Sequence, residues 1–247
     1  LLKILGKQGV SFKLDSKVTG VNVVKNKAVV DFTNNKTAKR ERIECDKVLV
    51  AVGRKANIGQ DIVNLGIKLK KQKNIEVNNK FETSIKNIYA IGDVINKGPM
   101  LAHVGSLEGE AVAEIIDGQA GQLNYNVIPS VVYTYPEVAQ VGKTEEQLKN
   151  ENLKYKVGKF PLIANSRAKI NNETEGFVKI MADEKTDKVL GVSMISAAAG
   201  TMIAECAIAM EFGASAEDLA RTCHAHPTYS ESIKEAAMAV DKKPIHF

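Results

Sequence analysis

Three cysteines in 247 residues, Cys45, Cys206 and Cys223, stand far apart and form no CxxC or CxxxxC pair. That spacing argues against a zinc site, a local redox disulfide or a secreted disulfide scaffold, and a reducing compartment fits best. Aromatic residues are scarce at 5%, tryptophan is absent, and the net charge of +5 comes from Lys and Arg interleaved with Asp and Glu. Little is left to stack bases or form a basic stripe, so the charge reads as a solvated surface and nucleic acid is not expected as a partner. No apolar run approaches the ~18 residues of a membrane helix, so no membrane span is expected. The start, Leu1-Leu2-Lys3-Ile4, has neither an initiator Met nor the zones of a signal peptide, and it reads as cut from something longer. Neither GxGxxG nor GxxxxGKS/T occurs, so a complete dinucleotide site needs residues outside this chain.

What is present is a chain 44% hydrophobic and 26% charged, long enough to bury a sizeable core in two or more units. Leu2 to Gly9 reads as the end of a helix and Val10 to Leu14 as a strand. Val18 to Val24, Ala28 to Phe32 and Arg40 to Ile43 form a meander around the turn Lys25-Asn26-Lys27. Lys47 to Val52 reads as a buried parallel strand stopped by Gly53-Arg54, where glycine either lets the backbone approach a ligand or simply ends the strand. A second such junction follows the strand-like stretches Asn74 to Val77 and Ile88 to Ile91, at Gly92-Asp93. There Asp93 either accepts hydrogen bonds from ligand hydroxyls or caps a helix. Gly98-Pro99-Met100-Leu101-Ala102-His103 then leads into a helix over Ala102 to Ile116, whose first-turn amides suit a polar or anionic group.

Near Asn126 the pattern changes from α/β alternation to an α+β unit. Val127 to Tyr133, Tyr155 to Pro161, Gly176 to Met181 and Val189 to Ile195 read as strands, and Lys143 to Glu151 as a helix with a capping box at Thr144-Glu145-Glu146-Gln147. Ala199 to Phe212, Ser215 to Arg221 and Ser230 to Val240 read as helices, the first buried in the core or at a subunit contact. The segment His224-Ala225-His226-Pro227-Thr228-Tyr229-Ser230-Glu231 sets an imidazole five residues before a carboxylate across a proline turn. Histidine exchanges a proton near neutral pH, and a carboxylate on one ring nitrogen fixes the tautomer and strengthens the other as a base. The bland alternative is a capping or surface pair.

Val50-Ala51-Val52-Gly53-Arg54, Tyr89-Ala90-Ile91-Gly92-Asp93-Val94, Gly98 to His103, Pro129 to Gly142, Lys159 to Lys169 and His224 to Glu231 together resemble the pyridine nucleotide-disulfide oxidoreductases, over nearly the whole chain. The His-Ala-His-Pro-Thr segment is most similar to the branch that acts on dihydrolipoamide. The resemblance implies residues 1–54 as the back part of an NAD-binding domain, 55–125 as a central segment completing the FAD site, and 126–247 as an α+β interface, or dimerisation, domain. It implies reoxidation of dihydrolipoamide, with electrons passing through a cysteine pair to FAD and then NAD. His226 is then the acid-base catalyst and Glu231 its orienting acid, serving the partner subunit of a homodimer. Asp93 binds the flavin's ribityl chain, Met100, Leu101, Ala102 and His103 line the flavin, and Val18 and Gly53 contact NAD. No metal is implied. The partners are components of a 2-oxo acid dehydrogenase complex, reached through lipoyl groups, in a bacterial cytoplasm or mitochondrial matrix. Another flavin disulfide reductase, or a non-catalytic dimerisation module, are the alternatives. Two departures stand out: Ala56 replaces a frequent proline, which alters loop stiffness, and Val104-Gly105-Ser106-Leu107 replaces a more charged run beside the flavin. Lacking the cysteine pair, the chain alone is expected to be inactive and to hold FAD poorly.

Overall fold

The computed structural model describes residues 1–71, 73–95 and 97–247, in two compact units, Leu2–Lys55 and Ala56–Phe247. The first holds helix α1 (Leu2–Lys7) and an antiparallel meander of β1 (Ser16–Val24), β2 (Lys27–Asn34) and β3 (Arg40–Cys45). Val24 pairs with Lys27, so the β1–β2 loop is the two residues Lys25 and Asn26, with φ of 47° and 66°. Positive φ at both positions is what a hairpin of matching twist requires, and Asn tolerates it well. Two expected strands do not form. Residues 10–14 and 47–52 run without a ladder, and Leu49 and Val52 are 90% and 92% exposed. A parallel strand is stable only between neighbours that take its N–H and C=O groups. Among the described residues none lies alongside 47–52, whereas the meander strands each bring a hairpin partner with them.

The second unit has two hydrophobic clusters. The smaller gathers Ile67, Ile75, Phe81, Ile95 and Ala111 beneath α2 (Gln60–Asn64), irregular loops and α3 (Ala102–Ile116). The stretches expected as strands at 74–77 and 88–91 make only isolated bridges, Leu69 with Ile75 and Glu82 with Tyr89. Asn74 and Ile75 are buried and Val77, Ile88, Tyr89 and Ala90 half-buried, while Glu76 and Ile91 stay exposed.

The larger cluster lies on a five-stranded antiparallel sheet of order β4-β5-β8-β7-β6. The strands are β4 (Ser130–Val132), β5 (Glu137–Gly142), β6 (Tyr155–Pro161), β7 (Phe177–Asp183) and β8 (Val189–Ser196). The expected strand 127–133 shrinks to β4, preceded by a 3-10 turn at Tyr125–Val127, and β5 is a strand beyond those the sequence pattern predicts. Helix α4 (Glu145–Asn150) carries the expected capping box, Thr144 Oγ1 accepting from Gln147 N while Gln147 returns the bond to Thr144 N. Short α5 (Ser166–Ile170) follows β6. Helices α6 (Ala199–Glu211), α7 (Ala216–Arg221) and α8 (Glu231–Val240) complete the unit; α6 packs on β5 and β8, and α8 on β6 and β7. The buried α6 residues Met202, Ile203, Cys206 and Met210 belong to this core. No helix among the described residues is long and apolar enough to cross a membrane.

Candidate active site

The first turn of α8 and the segment before it build the site. His226-Pro227 is a cis peptide, and just beyond it the chain enters α8 at Glu231. His226 Nδ1 lies 2.9 Å from Glu231 Oε1, and the other oxygen, Oε2, accepts the Thr228 N–H at 2.8 Å. An ionised carboxylate has no proton to give, so Nδ1 donates and Nε2 is left as the proton acceptor. Burial acts to raise the Glu231 pKa, but the Thr228 amide, the His226 hydrogen bond and the charges of His226 and His246 together hold it below the usual carboxylate range. The ring itself is 67% exposed, open to a thiol or hydroxyl arriving from outside.

The turn is pinned from several sides. His224, only 5% exposed, bridges Thr222 O at 2.9 Å and Glu205 Oε1 of α6 at 2.7 Å. Buried Asn165 donates to Thr228 O at 3.0 Å while its own oxygen takes the Ala168 N–H, joining the turn to α5. The Tyr229 hydroxyl donates to Glu173 and accepts from Asn171. One turn beyond Glu231 on α8, Glu235 accepts His246 Nδ1 at 2.7 Å and the Ile245 N–H at 2.9 Å, which folds the tail back. A cavity of about 200 Å³ is lined by His224, His226, Glu231, Lys234, Glu235 and His246, among others. A wider depression of about 700 Å³ lies on the meander of the first unit, but its Arg42 is already paired with Asp31 and it holds no acid-base couple. Glu205, Asn165, Glu235 and His246 carried no local signal, since each meets the site through long-range contact.

A second group lies at the start of α3. The 3-10 turn Gly92–Val94 carries half-buried Asp93, and Gly92 has φ +71° with its Cα close to Gly105 of α3. Helix α3 begins without a side-chain cap; Pro99 O and Leu101 O take the Leu101 and Val104 N–H groups, which leaves those of Ala102 and His103 for another acceptor. Ala102 and exposed His103 open that turn, His103 Nε2 donating to Pro129 O at 2.9 Å, and Met100 and Leu101 precede it half-buried. A carboxylate beside uncapped amides and two facing glycines fits a ligand with hydroxyls and an anionic group, as a flavin dinucleotide has. The nicotinamide side fits less well. Val18 is an exposed β1 residue opposite Phe32, and Gly53, φ +111°, ends a segment that forms no strand. These residues do not by themselves build a site for NAD. No metal-binding group of three or more His, Cys, Asp or Glu occurs among the described residues.

Residues 128–237 match the profile of the pyridine nucleotide-disulphide oxidoreductase dimerisation domain, and residues 1–109 that of pyridine nucleotide-disulphide oxidoreductase. The chain belongs to this oxidoreductase family. It is 51% identical over 236 residues to a mitochondrial dihydrolipoyl dehydrogenase of Caenorhabditis elegans, covering 95% of this chain and 48% of that protein. Against the mitochondrial dihydrolipoyl dehydrogenase of Homo sapiens the identity is 50% over 250 residues, covering 99% and 48%. The chain therefore spans about half the length of the curated relatives it matches. Two solved structures share its fold at 26% identity. LpdA from Mycobacterium tuberculosis has a TM-score of 0.85, covering 95% of this chain and 50% of that one. The HOCl-induced flavoprotein disulfide reductase RclA from Escherichia coli has 0.83, covering 94% and 52%. The family implies flavin and nicotinamide cofactors.

Proposed function

We propose that this chain is part of a flavin-dependent dihydrolipoyl dehydrogenase, in which His226 is the acid-base catalyst and Glu231 its orienting acid. The observation that carries the reading is the 2.9 Å contact of His226 Nδ1 with Glu231 beneath an exposed ring, in a chain about half identical to dihydrolipoyl dehydrogenases. Nε2 takes the proton of a dihydrolipoamide thiol. The thiolate so formed is the species able to attack a disulfide. Glu231 stabilises the imidazolium until the proton is passed on, and Thr228 N–H keeps the carboxylate aimed. Bound FAD supplies the electron relay between a cysteine pair and NAD. Asp93 would receive hydroxyls of the flavin's ribityl chain, with Met100, Leu101, Ala102 and His103 lining it. Val18 and Gly53 would flank NAD, completed by residues outside this chain.

By the same reading residues 1–54 contribute to an NAD-binding domain, 55–125 complete the FAD site, and 126–247 form a homodimer, the acid-base pair of one subunit serving its partner. Lipoyl groups of a 2-oxo acid dehydrogenase complex would be the substrate carriers, in a mitochondrial matrix or bacterial cytoplasm. The chain alone would be inactive, since it holds no redox cysteine pair. A non-catalytic dimerisation module has no use for a base and acid so aligned and open. In the full-length parent, His226→Gln should cut turnover roughly 10²- to 10⁴-fold with FAD content and dimerisation intact, and Glu231→Gln should be milder. Turnover near wild type in His226→Gln would sink the assignment.

A further inference from the structure

We propose that Glu108 and Tyr125 are positioning residues that latch the Gly92–Val94 turn and the Gly98–Met100 loop onto α3, setting the mouth where the flavin's polar chain would sit. The inference rests on the reading above that this mouth receives flavin.

Glu108 is a carboxylate only 1% exposed, in the middle of an otherwise ordinary helix. A buried carboxylate is tolerated only when hydrogen bonds replace its water. Here each oxygen has one donor at 2.5 Å: Oε2 accepts the Gly92 N–H, and Oε1 accepts the Tyr125 hydroxyl proton. The first bond holds the residue immediately before Asp93. The second reaches the 3-10 turn that leads toward β4, and burial together with Glu108 raises the Tyr125 pKa, keeping the hydroxyl a donor.

The tyrosine ring does a second thing. A Cβ added at Gly98 would stand 2.6 Å from its Cε1, so the ring rests directly on the backbone of the loop entering α3. A Cβ at Gly105 would come to 3.4 Å from Gly92 Cα, so α3 and the turn meet backbone to backbone. Val94 O accepts the Ile75 N–H at 2.8 Å, and buried Asn74 donates to Asp93 O at 3.5 Å. Released from Glu108, the Gly92 N–H would lose its acceptor in a half-buried turn, and the turn would shift to find another. Neither Glu108 nor Tyr125 belongs to the acid-base couple; both act through the backbone they hold.

The test uses the full-length parent, stripped of FAD and titrated with it again. Tyr125→Phe keeps the ring on Gly98 and deletes one hydroxyl, and Glu108→Gln keeps the shape and removes the charge. Each should raise the FAD dissociation constant roughly 3- to 30-fold, part of what one charge-assisted hydrogen bond is worth. Gly98→Ala, which drives a methyl into the Tyr125 ring, should do the same. An FAD dissociation constant within about twofold of wild type in Tyr125→Phe overturns the proposal, whatever happens to the melting temperature, because a purely structural clasp would move stability and leave affinity alone. If Glu108→Gln does not fold, Tyr125→Phe decides. Asp93→Asn tests the underlying reading separately. Unchanged affinity there removes the flavin mouth; weakened affinity there with a normal Tyr125→Phe removes only the latch.

Discussion

Gly158→Ala should damage both stability and turnover, although residue 158 lies on β6, outside the proposed acid-base pair. A Cβ at Gly158 would stand 2.0 Å from Ala236 O, 2.5 Å from Val240 N and 2.8 Å from Val240 Cγ2, all on α8. Ordinary contact begins at 3.4 Å, so α8 must withdraw by about 1.4 Å (3.4 minus 2.0) or β6 must yield by as much. Two of the three obstructing atoms are backbone and cannot rotate away. Overpacking of flexible core side chains costs about 1–3 kcal/mol, and this case belongs at or above the upper end. The displaced helix is the one that carries Glu231. A shift of roughly 1 Å in a catalytic group can cost about 10²-fold. The full-length variant should therefore lose about 3 kcal/mol of stability by calorimetry and, in what remains folded, turn over roughly 10- to 100-fold more slowly. Gly20→Ala, where a Cβ would meet nothing within 4 Å, is the control and should be silent. A Gly158→Ala protein with wild-type melting temperature and turnover would refute the backbone-to-backbone account of the β6–α8 contact.

Glu145 is held at a pKa of about 2, chiefly by its hydrogen bonds with Lys179 and Lys149. Its folded value lies below the unfolded one, so its contribution is full above about pH 4.5 and fades as pH falls toward 2. Glu145→Gln should thus melt below wild type at pH 7 and converge with it near pH 2.5, and a gap that widened on acidification would contradict the sign. Glu205→Ala leaves buried His224 without one partner, at a cost of about 1–3 kcal/mol, and should slow turnover less than His226→Gln because it reaches the His226 ring only through the turn. Equal losses in the two variants, by melting and steady-state rate together, would mean that His224 does more than hold the turn.

Local chemistry made much of the molecule legible from residues alone. A hairpin turn at Lys25-Asn26, the Thr144–Gln147 capping box and the span of α3 depend on neighbours within a few positions. The same is true of His226 and Glu231, which lie five residues apart and meet across one turn. The spans of β6, β7 and β8 likewise read as strands from their own residues, although the burial differs: β8 is buried along nearly its whole length, β7 along most of it, and β6 only at Gly158 and Phe160. Strand β5 is only six residues long, and it is held by its ladders to β4 and β8.

Tertiary structure decided the remainder, for one physical reason: these groups take their meaning from partners far along the chain. Lys47 to Val52 has the composition of a buried strand, yet its apolar side chains are largely exposed, since burial requires neighbouring strands and composition cannot supply them. Asn165 and Thr228 are 63 positions apart, and Glu205 and His224 are 19. Glu108 reads as one more solvated helix residue until Gly92 and Tyr125, 16 and 17 positions away, close over it and turn an ordinary carboxylate into a buried one that must be satisfied from inside the fold.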